Sequence, residues 1–146
     1  MLPRWHILFG AIFAIIIWIA VPEINFFYLA LIFLASFLID FDHYMCAVKT
    51  TKKISLKNAF SYYEELCAKQ KKEIAAGIKK KFPEFHAFHT IEFHLLVGIL
   101  SFYWIGFFYI FIGMIFHSLL DILSFFKDGT FHAREFFFFN WIRKKF

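Results

Sequence analysis

Apolar residues in this chain come in long blocks separated by short polar interruptions, not in the alternating or three-and-four-step patterns of a soluble fold. Trp5 to Val21 is one block, Ile24 to Ile39 a second, and Phe93 to Phe126 a third. Pro22, Glu23 and Asn25 supply turn chemistry between the first two and bring no basic residue with them. As one helix the third block would measure about 51 Å at ~1.5 Å per residue, far more than a hydrocarbon core of ~30 Å. A break near Trp104, Ile105 and Gly106 resolves this. The pattern then predicts spans of about 5–21, 24–39, 89–104 and 106–126, with Lys127-Asp128-Gly129-Thr130 as the last stop.

The intervening segment, 44–88, has a different character. Between Lys49 and Lys81 ten lysines accumulate, while Leu56, Phe60, Tyr63, Cys67, Ile74 and Ile78 recur at three- and four-residue steps with one gap at Gln70. That is the pattern of a basic amphipathic helix lying on an anionic leaflet, with Ser55 as its N-cap and Pro83 as its end. The tail, 127–146, sets Phe136 to Phe139 and Trp141 beside Arg143 to Lys145 and reads as an interfacial anchor.

Composition agrees: 61% hydrophobic residues and a mean hydropathy of +0.64 lie outside the soluble globular range. The expected fold is all-α, a single membrane domain of four short transmembrane helices plus a cytoplasmic amphipathic helix. The net charge of +5, from 16 Lys and Arg against 11 acids, matters chiefly through its placement. Four spans put Arg4, the loop lysines, Lys127, Arg134 and Arg143 to Lys145 on one side and leave the opposite loops without a basic residue. The positive-inside rule therefore predicts a multi-pass protein of the cell's inner or plasma membrane with both termini cytoplasmic. A single long third helix would export the basic C-terminus. Met1 to Val21 has the outline of a signal peptide but no A-x-A-like site before Pro22, so it is read as a retained span. Cys46 and Cys67 show no framework spacing and are read as reduced thiols.

Against this background the ionisable residues stand out, because a charge at bilayer depth costs roughly 2.5–3.5 kcal/mol on insertion scales. In the four-span arrangement His6 opens the first span; Asp40, Asp42 and His43 close the second. His89, Glu92 and His94 open the third, and His117 and Asp121 lie in the last turns of the fourth. His117 and Asp121 are one turn apart, as are Asp40 and His43, so each pair shares a helix face. Three carboxylates gathered at one depth would repel and be driven to protonate, whereas divalent cations make the same cluster stable. Mixed nitrogen and oxygen ligation without thiolate suits Zn²⁺ best, with Mn²⁺ and Fe²⁺ as alternatives. The expected ligands to one to three ions are His6, Asp40, Asp42, His43, His89, His94, His117 and Asp121. Glu92 and Asp42 are the acid–base candidates, and His86 and His132 are read as surface or interfacial residues.

The order of these motifs resembles that of a known family. His6-x-x-x-Gly10, Asp40-x-Asp42-His43, His89 with His94 five residues on, and His117-x-x-x-Asp121 are similar to the blocks of the small membrane-bound metal-dependent hydrolases that include a LexA-regulated inner-membrane protein. In that family the second block usually reads Pro-Asp-x-Asp-His and the third His-Arg-Gly-x-Thr-His-Ser. Here Ile39 replaces the proline, Thr90 and Ile91 replace Arg-Gly, and Phe93 and Leu95 flank His94, so the ligand positions match while the intervening residues differ. The family is distantly similar to zinc-dependent phospholipases C, and the resemblance thereby implies a phosphoester substrate.

The leading expectation is a metal-dependent hydrolase at the cytoplasmic membrane surface. Its partners are the bilayer and an anionic lipid or phosphoester, held in part by Lys79 to Lys81; no nucleic acid is expected. A metal or ion transporter would need polar groups through the bilayer, and the outer halves of the spans offer little beyond Ser101 and Tyr103. A lipid phosphatase of the acid-phosphatase-like type would share His117-x-x-x-Asp121 but needs Lys-Arg-Pro and Ser-Gly-His blocks that are missing. A non-catalytic membrane protein with a structural metal is the remaining alternative, distinguished by a closed coordination shell.

Overall fold

The computed structural model describes residues 3–78 and 85–145, and all regular structure among them is helical. The helices are α1 (Pro3–Ala20), α2 (Phe26–Leu38), α3 (Phe41–Thr51), α4 (Leu56–Ala75), α5 (Ile91–Leu100), α6 (Ile105–Asp128) and α7 (Phe138–Lys145). Local chemistry sets their ends. Asn25 caps α2, its side chain accepting from Phe27 N at 2.8 Å, and Thr90 caps α5 by accepting from Phe93 N at 3.3 Å. Gly129 ends α6 in the left-handed region at φ 66°, where a Cβ is disfavoured. The expected break near Trp104 is present: the chain turns through Ser101 to Tyr103, and Trp104 is extended.

Between α2 and α3 the helix is interrupted at Ile39 and Asp40. Asp40 stands at the N-cap of α3, yet its side chain makes no capping bond; its carbonyl oxygen accepts from His43 N and Tyr44 N instead. The Asp40 carboxylate is thereby left for other partners.

α1 and α2 form one hairpin and α5 and α6 another. Gly10 of α1 lies opposite Ser36 of α2, so closely that a Cβ on Gly10 would collide with the serine side chain. On α6, Phe111 packs over Gly98 while Ser118 meets His94, so α5 and α6 are also antiparallel. The two hairpins join through α2 and α6, which run parallel: Tyr28 stacks on Tyr109, Ile32 meets Gly113, and Ser36 bonds to His117. Each of these pairs lies one turn beyond the last on both helices. Small residues permit the close approach, since a Cβ on Gly113 would strike the Ile32 carbonyl, the means by which membrane helices pack without a hydrophobic drive between them. A small core of Ile39, Val97 and Met114 sits where the hairpins meet.

Among the described residues, two stretches are long and apolar enough to cross a membrane: Phe26–Thr51, which joins α2 to α3, and Ile105–Asp128. α1 is shorter, and α5, ten residues or about 15 Å, covers only Ile91–Leu100 of the stretch 89–104 read as a span. Outward faces of α1, α2, α5 and α6 carry large exposed apolar side chains, among them Ile16, Phe27, Leu96 and Leu123.

α4 has the expected start after Ser55 but stops at Ala75, because Gly77 takes φ +75° and turns the chain well before Pro83. Lys79 to Lys81 and Pro83 lie outside the described residues. α4 packs on α3, where the Tyr63 hydroxyl donates to the His43 carbonyl at 3.0 Å.

Candidate metal centre

The hairpin registers bring one set of ionisable side chains to a single end of the bundle. From α1 comes His6, fully buried and one turn before the Gly10 approach. The α2–α3 break supplies Asp40, and the first turn of α3 supplies Asp42 and His43. A short 3₁₀ turn, Ala87–His89, delivers His89; the late turns of α6 deliver His117 and Asp121. The His6 and His117 rings stack with centroids 3.9 Å apart. Asp40 Oδ1 lies 3.4 Å from His89 Nε2, 3.5 Å from His117 Nε2 and 3.6 Å from His43 Nε2. Asp121 Oδ1 lies 3.2 Å from His6 Nε2, and its Oδ2 lies 3.7 Å from His117 Nε2.

Ligand atoms in four overlapping groups lie within 4.8 Å of one another: His6/Asp40/His117, His89/His117/Asp121, Asp40/His43/His89 and Asp42/His43/His86. The first three share residues and form one continuous cluster. The fourth adjoins it through His43. Buried His and Asp are thus positioned to hold metal.

Further bonds orient the ligands. His117 Nδ1 donates to the Ser36 carbonyl at 2.9 Å, which turns its Nε2 into the cluster. His89 Nδ1 bonds to Asp42 Oδ2 at 3.1 Å, and the same oxygen accepts from Phe88 N at 3.0 Å, so the His89 Nε2 also points inward. Carboxylate or carbonyl partners behind a ligating imidazole fix its tautomer and raise its basicity, and both arrangements are present. Burial pushes the His86 imidazole down to about 3, which leaves it neutral, the ligating form. His89 sits between two carboxylates, its Nε2 3.4 Å from Asp40 Oδ1 and its Nδ1 3.1 Å from Asp42 Oδ2, so negative charge gathers around it.

These residues fit a cation. Among the described residues His6 Nδ1 and Asp40 Oδ2 are buried without a hydrogen-bond partner, His6 Nε2 meets only Asp121 Oδ1 at 3.2 Å, and Asp42 Oδ1 has nothing closer than His86 Nδ1 at 3.7 Å. Leaving buried polar atoms unsatisfied costs about 1–3 kcal/mol each, and more for charged groups. Three carboxylates face only partial compensation from Arg134, whose Nη1 lies 3.5 Å from Asp121 Oδ2. Divalent ions would satisfy the stranded lone pairs and the excess charge together.

Seven of the expected ligand positions, His6, Asp40, Asp42, His43, His89, His117 and Asp121, are brought together. His94 is not among them: it is buried, but its Nδ1 donates to the Thr90 carbonyl at 2.8 Å and its Nε2 meets Ser118 Oγ at 2.9 Å, tying α5 to α6. Glu92 is placed elsewhere as well. Its carboxylate accepts from Phe138 N at 2.9 Å and Phe139 N at 3.3 Å, holding the N-terminus of α7. His86, read as a surface residue, instead packs its ring 3.7 Å from that of His43 with Nδ1 3.7 Å from Asp42 Oδ1. His132 is exposed.

A cavity of about 1040 Å³ opens onto the cluster. Asp40, His43, His86, Asp121 and Arg134 line it at one end, and aromatic and aliphatic side chains of α1, α2, α4 and α6 form most of the remaining wall. Compared with protein-family models, with curated proteins and with solved structures, the chain matches none.

Proposed function

We propose that this protein is a membrane-embedded metal-dependent hydrolase that cleaves a phosphoester or a lipid head group. The observation that carries this reading is the buried His/Asp cluster with stranded ligand atoms, open on one side to a large, mostly apolar cavity. A structural site would be closed, whereas a catalytic site keeps room for substrate. The all-nitrogen-and-oxygen ligand set favours zinc, and the overlapping groups have room for two ions. α1, α2, α5 and α6 cross or enter the membrane in this reading, with the cluster at the cytoplasmic face. Their outward apolar faces and the one-sided basic residues support the placement. The resemblance to membrane-bound metal-dependent hydrolases points the same way.

A divalent cation held here supplies Lewis acidity, polarising a phosphoryl oxygen and bringing the pKa of a water molecule toward neutrality. The chain's own residues do the rest. Ser36 and Asp42 hold His117 and His89 in their ligating tautomers. Glu92 is committed to α7, and Asp42, which holds Phe88 N and His89 through Oδ2, is not among the residues that line the cavity. That leaves Asp40, which faces the cavity with Oδ2 unpartnered among the described residues, to accept the proton of the attacking water. As the water oxygen bonds to phosphorus and the ester P–O bond breaks, Asp40 passes that proton to the leaving oxygen.

A screen of total membrane lipids and simple phosphoesters with zinc-loaded full-length protein tests this. Phosphate or phosphomonoester release by wild type, falling to background in Asp40→Ala, is the expected outcome. Equal turnover by the two proteins, or none by wild type on any substrate, would remove the hydrolase reading.

A further inference from the structure

Among the described residues Arg134 stands at the cluster as a cation, beside Asp121, and so cannot itself be a metal ligand. It follows the 3₁₀ turn Phe131–Ala133 and reaches back under α6, its guanidinium Cζ 5.0 Å from the centroid of the Phe125 ring. Its side chain is 7% exposed. The contact from Nη1 to Asp121 Oδ2, at 3.5 Å, sits at the limit of a hydrogen bond, and Nη2 is buried with no partner among the described residues. A buried guanidinium with unused N–H groups is costly, and an arginine fork matches two oxygens of a phosphate or carboxylate at once. Arg134 lines the cavity beside Asp40, His43 and Asp121. It therefore presents a positive donor pair where the cluster meets that space.

Most of the remaining cavity wall is apolar, with Phe9, Phe37, Phe41, Phe60 and Leu123 among its members. The exposed charges in the lining, Lys71 and Lys127 with Glu64 and Asp128, are equal in number and opposite in sign, so selection for an anion falls to the buried Arg134. The volume, about 1040 Å³, lies just above the ~300–1,000 Å³ range of small-molecule sites. One cationic fork beside the ligand cluster and a long apolar wall beyond it call for a ligand with an anionic head and a hydrocarbon chain.

We propose that Arg134 and this cavity bind an anionic amphiphile, a single-chain phosphate ester. Two of its head-group oxygens lie on the Arg134 guanidinium and its chain lies along Phe9, Phe37 and Phe60. This rests on the hydrolase reading for the identity of the bond cleaved, but the binding site stands on its own geometry. Arg134 is a specificity-determining residue, and the chain contacts favour a long-chain ester over small soluble phosphoesters.

Binding of dodecylphosphonate and of methylphosphonate, neither of which is hydrolysable, to zinc-loaded full-length protein in neutral maltoside micelles tests the assignment. Dodecylphosphonate is expected to bind at least tenfold more tightly than methylphosphonate. Arg134→Ala should weaken dodecylphosphonate binding at least tenfold, Arg134→Lys should recover part of the loss, and both variants should keep the wild-type zinc content. Affinity independent of chain length would overturn the amphiphile assignment in favour of a free anion. Unchanged affinity in Arg134→Ala, or loss of zinc from both variants, would overturn the role of Arg134 and make it a structural neighbour of Asp121. Arg134-dependent binding without hydrolysis of dodecyl phosphate would sustain this site while removing the hydrolase reading. Turnover of short esters together with Arg134-independent binding would do the reverse.

Discussion

The two ends of the α2–α6 pair share one register and differ only in what it aligns. At one end Tyr28 stacks on Tyr109 with ring centroids 4.5 Å apart, and Phe27 leans toward Trp104. One turn on, Gly113 admits the Ile32 carbonyl; another turn on, Ser36 receives the His117 N–H. Beyond that point the neighbours are Asp40 and Asp121. The packing that closes one end with rings therefore aims ligands at the other. The candidate centre rests on this tight helix crossing together with two local departures from it, the break at Ile39 and Asp40 and the 3₁₀ turn that carries His89.

Breaking the crossing should affect both ends. Gly113→Val, whose side chain meets the Ile32 backbone, is expected to cost about 3 kcal/mol in unfolding experiments. It should also weaken metal binding, because His117 lies one turn away; a stable variant with wild-type metal affinity would show that the crossing does not position the ligands. A smaller change sharpens the contrast. Tyr109→Leu removes the ring stack at the far end and should cost about 1 kcal/mol, with metal content unaltered. Loss of metal in that variant would mean the two ends are not separable.

Much of the site was legible in the sequence because ionisable residues are so expensive within apolar blocks. His6, Asp40, His117 and Asp121 each interrupt or end such a block, and all converge. The break at Trp104 and the stop at Gly129 were legible from length and turn chemistry. Where the contrast fades, so does the signal. His86 lies between Phe85 and Ala87 but outside the long apolar blocks, where a histidine costs little and offered no anomaly, and Arg134 read as one more topological charge. His94 and Glu92 carry the right chemistry at the right depth, yet local partners decide their roles: Thr90 and Ser118 hold the His94 ring, and α7 occupies the Glu92 carboxylate. That last contact spans 46 residues of sequence and has no local pattern. The α4 end was misplaced because Pro83 is the stronger helix breaker by rule, while Gly77 stops the helix first by adopting a left-handed conformation.

The central claim is that the convergent His/Asp cluster holds transition metal, and elemental analysis of full-length protein purified without chelator tests it most directly. Wild type should carry one to three ions per chain. His117→Ala should lose at least one of them, whereas His94→Ala should keep them all, since His94 is bonded outside the cluster. Background metal in wild type, or wild-type content in His117→Ala, would contradict the account.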